Sequence, residues 1–131
     1  MAITAVHTLI YSDDAAATRA FLKDVLRWPF VPDSSGSDDP NSWLIFGTGR
    51  SEMGVHPTSG EGGWSSSSHH EISLMCDDLD ATVEELRSRG AEFSGDVQDM
   101  GFGRGIMLAV PGADDMLLYQ AHHAPAHHLD G

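Results

Sequence analysis

Residues 13–18 read DDAAAT and residues 77–82 read DDLDAT, one frame displaced by 64 positions. A 131-residue chain that carries a motif twice at this spacing is constrained to two similar halves. The echo continues, with Leu22 opposite Leu86 and Lys23 opposite Arg87. A second echo at a shift of 63 sets Gly49 opposite Gly112 and Met53 opposite Met116. Two echoes at nearly one offset indicate duplication.

The apolar pattern gives both halves the same order of elements. Residues 3–11 are rich in β-branched and apolar types and read as a strand. Asp13 or Asp14 caps a helix running to about Arg27, with Phe21, Leu22, Val25 and Leu26 as its apolar stripe. Pro29 ends it, because proline disfavours helix at the residue before it. A short strand near Phe30 follows, then strands at 42–46 and 52–56. In the second half 70–76 reads as a strand. Asp78 caps a helix carrying Leu79, Val83 and Leu86, which Gly90 stops. Strands follow at 91–94, 105–110 and 116–119. Each half is therefore β-α-β-β-β. The chain reads as one domain: a first module of about 1–57, a Gly/Ser-rich linker or lid at 58–68, a second module of about 69–121, and a tail at 122–131.

Composition narrows the partners. Twenty acidic residues against seven basic ones give a formal net charge of −13. Such a surface repels phosphate backbones and anionic membranes, so neither nucleic acid nor a membrane is expected as a partner. The apolar runs are too short to span a bilayer, and the first residues lack the basic start of a secretory leader. A single cysteine, Cys76, allows no internal disulfide, so a reducing, cytoplasmic setting is expected.

The order and spacing of three segments resemble the vicinal oxygen chelate superfamily of glyoxalases, bleomycin resistance proteins and extradiol dioxygenases. They are His7 leading into SDDAAATRAFLKDVLRWPF, then EISLMCDDLDATVEELRSRGAEF, then GFGRGIMLAVPGADDMLLYQ. The resemblance implies an α+β fold. Two βαβββ modules would form a cupped mixed sheet around a pocket, with the helices outside. It also implies a homodimer and a small-molecule ligand.

In that family a divalent metal (zinc, iron, manganese or nickel) is held by the first and last strands of each module. By resemblance and internal repeat, those positions fall on His7, Gly54, Glu71 and Leu117. Two can bind metal and two cannot, whereas a catalytic ion needs about three protein ligands. Glu52, His56 and His70 are the nearest other donors. Alternation puts Glu71, Ser73 and Met75 on one face of their strand, with Ile72, Leu74 and Cys76 on the helix side. His56 points with Gly54, and Tyr119 with Leu117. His7, His56, Glu71 and Tyr119 are thus expected to converge on one cavity, and His7, His56 and Glu71 form a possible three-ligand set.

Tyr11 follows His7 on the same strand face and is expected to line the cavity. Trp43, Phe46 and Trp64 offer flat apolar walls to an aromatic ligand, with Trp64 as the lid residue. His122, His123, His127 and His128 read as part of a loose tail. The GFGRG run at 101–105 is not a phosphate loop, because no helix follows it. Cys76 is expected on the buried face and inert. Two functions follow. One is a binding protein for a small aromatic or hydrophobic molecule, with a degenerate metal site. The other is a metal-dependent lyase, isomerase or dioxygenase acting on adjacent oxygens, with His7 and Glu71 as catalytic residues. Beside these two stands a metal-free isomerase or hydrolase with His7 and Glu71 as an acid–base pair.

Overall fold

Both copies of the repeated hexamer turn out to be helix starts. A computed structural model describes residues 7–32, 37–52, 57–67, 70–124 and 126–128. Helix α1 spans Ala15–Asp24 and helix α2 spans Leu79–Ser88. Asp14 accepts the Ala17 N–H at 3.0 Å, and Asp78 accepts the Ala81 N–H at 3.1 Å. The threonine that closes each hexamer brings its hydroxyl back to the capping residue's carbonyl, at 3.3 Å for Thr18 and 2.7 Å for Thr82. The repeat therefore encodes capping: side chains satisfy N–H groups that have no partner inside the helix.

The helix ends match as well. Gly90, at φ 91°, closes α2 in a Schellman turn, with Gly90 N–H on the Arg87 carbonyl and Ala91 N–H on the Leu86 carbonyl. The first-half counterpart is Arg27, at φ 57°. Helix α1 stops at Asp24, short of the expected Arg27, because the chain already reverses into that left-handed residue before Pro29. Lys23 and Arg87, each in a last turn, lie over Phe30 and Phe93, the residues that open the next strands.

The chain folds as two compact units, Met1–Phe46 with Val110–Asp114, and Gly47–Ala109 with Asp115–Gly131. In the first, strands β1 (Phe30–Pro32) and β2 (Leu44–Phe46) pair antiparallel. Phe30 meets Phe46 with ring centroids 5.8 Å apart, and Leu44, Phe21 and Leu22 are buried. Residues 7–11, expected in a strand, lie outside any strand. They find no strand partner among the described residues, and β propensity without pairing does not make a strand. Of the strand expected at 52–56, Glu52 is non-strand and the rest lies outside the described residues.

In the second unit, β3 (Ser73–Met75), β4 (Phe93–Asp99), β5 (Gly103–Leu108) and β6 (Met116–Ala121) form a sheet of order β3-β6-β5-β4. Strand β3 runs parallel to β6 and the other pairs are antiparallel, so the sheet is mixed. Strand β3 is shorter than the expected 70–76, and β4 runs past Ser94 through an irregularity between Ser94 and Gln98. Helix α2 packs on β6. Its Leu79, Val83 and Leu86 are buried, as are Ile106, Leu108, Met116 and Leu118 of the sheet. The fold is α+β, as expected. Among the described residues no helix is long and apolar enough to cross a membrane.

Candidate functional site

The helix side of the four-stranded sheet is fixed by polar contacts as well as by burial. Gln120 Oε1 accepts the Leu79 N–H at the start of α2, at 2.9 Å, and Arg104 pairs with Asp80 at 3.2 Å. Alternation then puts Ser73, Met75, Met107, Leu117 and Tyr119 on the opposite face. The register sets Ser73 beside Leu117 and Leu117 beside Met107, with Met75 beside Tyr119 and Tyr119 beside Gly105.

The glycine-rich run explains how Tyr119 is seated. A Cβ on Gly105 would stand 2.8 Å from Leu117 Cδ1 and 3.3 Å from Tyr119 Cβ. One on Gly103 would stand 3.1 Å from Tyr119 Cδ2 and 2.5 Å from the Gln120 carbonyl. The phenol thus lies across bare backbone, and Phe102 meets it edge-on at 5.5 Å. Burial, helped by the charge of Glu52, raises the Tyr119 pKa above its ordinary value, which keeps the hydroxyl a donor. The result is a polarizable apolar surface of two methionines and two aromatic rings, carrying the hydroxyls of Ser73 and Tyr119.

The expected site residues fall as follows. Glu71 is exposed and precedes β3, Ser73 is exposed at its start, and Met75 and Tyr119 are half-buried, all in the second unit. His7 and Tyr11 belong to the first unit, where both are exposed. Tyr11, expected along a strand, is 90% exposed and outside one. His56 and Gly54 lie outside the described residues. Trp64 is 41% exposed, on a loop held by the Ser59–Ser65 bridge and by Ser66 N–H on the Thr58 carbonyl at 2.9 Å. Its indole lies against Gly60, so the expected linker carries local order around this residue. Trp43 is exposed with the Arg19 guanidinium 5.2 Å over its ring. Cys76 is half-buried, its thiol donating to the Tyr119 carbonyl at 3.5 Å, and burial pushes its pKa up. Sequence reasoning did not single out Met107 and Phe102; alternation along β5, once its register is known, marks Met107.

The family model of the Glyoxalase/Bleomycin resistance protein/Dioxygenase superfamily matches residues 4–116. The chain belongs to that superfamily. Solved structures share the fold of this glyoxalase-superfamily chain at low identity. The antibiotic binding protein TnmS3 from Streptomyces sp. CB03234 is 21% identical, with TM-score 0.58, over 92% of this chain and 98% of that one. Lactoylglutathione lyase from Agrobacterium tumefaciens is 16% identical, with TM-score 0.53, over 90% and 94%. The fosfomycin resistance protein FosX from Listeria monocytogenes is 15% identical, with TM-score 0.52, over 95% and 96%. No curated protein matches the chain.

The described residues do not fit the metal centre that this superfamily implies. Leu117, where the resemblance puts the closing ligand, is apolar and 9% exposed, with Ser73 and Met107 on either side. Among the described residues no group of three or more His, Cys, Asp or Glu side chains is placed to hold an ion.

Proposed function

We propose that this member of the superfamily binds a small aromatic or hydrophobic molecule and does not transform it, using the Met75–Met107–Tyr119 face as one wall of its site. The observation that carries this reading is Leu117. An apolar side chain stands where the resemblance puts a closing carboxylate, between Ser73 and Met107 on a face that Met75 and Tyr119 continue. Such a surface gains affinity by burying apolar area, about 25 cal/mol per Å² before the costs of association. Ser73 and Tyr119 add hydrogen bonds that orient a ligand. The antibiotic binding protein that shares the fold is in keeping with a sequestering role, and the lactoylglutathione lyase with the enzymatic alternative. His7, Tyr11, His56 and Trp64 are the further contacts in this proposal. The net charge of −13 favours neutral or cationic ligands over anionic ones. The protein works as a cytoplasmic homodimer, of twice the 14.1 kDa chain mass.

The test uses the neutral fluorescent probe N-phenyl-1-naphthylamine. Saturable binding is expected, unchanged after exhaustive chelation, and weakened at least tenfold in Met107→Asp with the fold retained. Stoichiometric zinc, iron, manganese or nickel that survives gel filtration, with binding lost on chelation, would overturn it. That result would favour a metal centre built from His7, His56 and Glu71 and the enzymatic alternative. Light scattering reads the dimer independently.

A further inference from the structure

The C-terminal segment does not behave as the loose tail its composition suggests. The His122 N–H donates to the Phe102 carbonyl at 2.8 Å, and its ring lies 3.4 Å from Asp99. The His123 ring lies 3.6 Å from one oxygen of Glu52. The other oxygen of Glu52 accepts the Ala126 N–H at 2.5 Å and the His127 N–H at 3.3 Å. These N–H groups open a short 3-10 turn, Ala126–His128. A carboxylate from 74 residues away thus caps this turn in the way Asp14 and Asp78 cap the helices. The Glu52 side chain is only 16% exposed, a costly place for a charge without such partners.

The tethered segment closes one side of a cleft. His123 and His127 face Met75 and Cys76 at the end of β3, and Gln120 and Ala121 at the end of β6, around a space of about 360 Å³. Met75 belongs to both the cleft and the proposed binding face.

We propose that the described residues 122–124 and 126–128 form a strap, latched by Glu52, that controls access from solvent to the cleft at Met75 and Cys76. The latch is a charge-assisted cap on a segment with no buried apolar anchor among its described residues. It opens locally, at far lower cost than unfolding the sheet behind it. This inference rests on the contacts of Glu52 and stands whether or not the proposed ligand is right.

Cys76 is the only cysteine of the chain, so its alkylation reads the strap directly. Iodoacetamide modification is followed by mass spectrometry at one fixed pH on the full chain, beside hydrogen exchange of the β5 and β6 amides. Glu52→Ala is expected to speed Cys76 alkylation at least tenfold while β5 and β6 stay protected. Glu52→Gln, which keeps an acceptor oxygen, is expected to lie between. The same acceleration should appear as faster exchange of the Ala126 and His127 amides. An unchanged alkylation rate in a folded Glu52→Ala protein would overturn the strap. If that variant fails to fold, Asp99→Ala with His123→Ala, which removes both histidine-ring contacts of the strap, takes its place under the same criteria.

Discussion

Thr18 and Thr82 hold the same place in the repeat, and the structure predicts that they contribute unequally. Thr18 is 5% exposed. Its hydroxyl donates to the Pro111 carbonyl at 2.5 Å and lies 2.7 Å from the Ser12 hydroxyl, which itself donates to the Gly112 carbonyl at 2.9 Å. The Thr82 return bond to Asp78 is exposed, so water can replace it, and the same hydroxyl also meets the Cys76 thiol. Thr18→Val keeps the branched shape but takes a buried donor away from the part-buried bond to Pro111, at a cost of about 1–3 kcal/mol. Thr82→Val removes a solvated bond and should cost no more than about 0.5 kcal/mol. The two variants should therefore separate by about 1–2 kcal/mol in urea unfolding followed by circular dichroism. For a chain of this size that is a Tm difference of roughly 3–8 °C. Equal losses would refute the reasoning, because they would mean that the Ser12–Thr18–Pro111 bonds add nothing beyond the helix motif.

The two glycines of the second echo invite a similar contrast. Gly49 at φ 80° has open space where a Cβ would stand, so Gly49→Ala should cost only the left-handed penalty of about 1–2 kcal/mol. Gly112 at φ 79° would set its Cβ 2.6 Å from Ser12 Oγ and 2.8 Å from the Asp14 carbonyl, so Gly112→Ala should lose clearly more stability in the same assay. In Tyr11→Phe the one remaining phenol is Tyr119, and its ultraviolet titration should have a midpoint above the ordinary value of about 10. Because the folded state holds that proton more tightly, the contribution is intact below the unfolded value and lost as pH rises through the folded one. Glu52→Gln should move the midpoint down. The fully exposed Asp99 is held below the usual carboxylate value by the Gly101 N–H and then by His122. Its contribution is present above about pH 4 and lost as pH falls through the lowered value, so a carboxyl NMR titration should show a low midpoint that rises in His122→Ala.

The helices were legible because their signals are local. A capping aspartate, a threonine four residues on, an apolar stripe and a terminal glycine act within one or two turns, and DDLDAT with Gly90 placed α2 almost to the residue. The end of α1 was harder, since the left-handed residue there is Arg27, whose type gives no warning, while the visible signal, Pro29, comes two positions late. Strands depend on partners elsewhere in the chain. The apolar, β-branched run at 3–11 carried the right composition, yet its described part is unpaired, whereas β4 extends to Asp99 because β5 offers it a ladder through Arg104.

The candidate site was the least legible part, and the duplication shows why. What the halves share is conformational: an aspartate cap, a left-handed residue after each helix, a cation over the ring that opens the next strand, and glycines at nearly one φ. These features are selected by backbone geometry, which any ligand leaves in place. The positions that face the candidate site obey no such constraint. Leu117, Met107 and Tyr119 form no cap or turn, so the repeat does not carry them from one half to the other. Glu52 is the sharpest case. In sequence it stands two residues before Gly54 as a spare carboxylate, while in the fold it caps a turn 74 residues away. That long-range contact, with those of His122 to Phe102 and Asp99, holds the described part of the histidine-rich end against the fold.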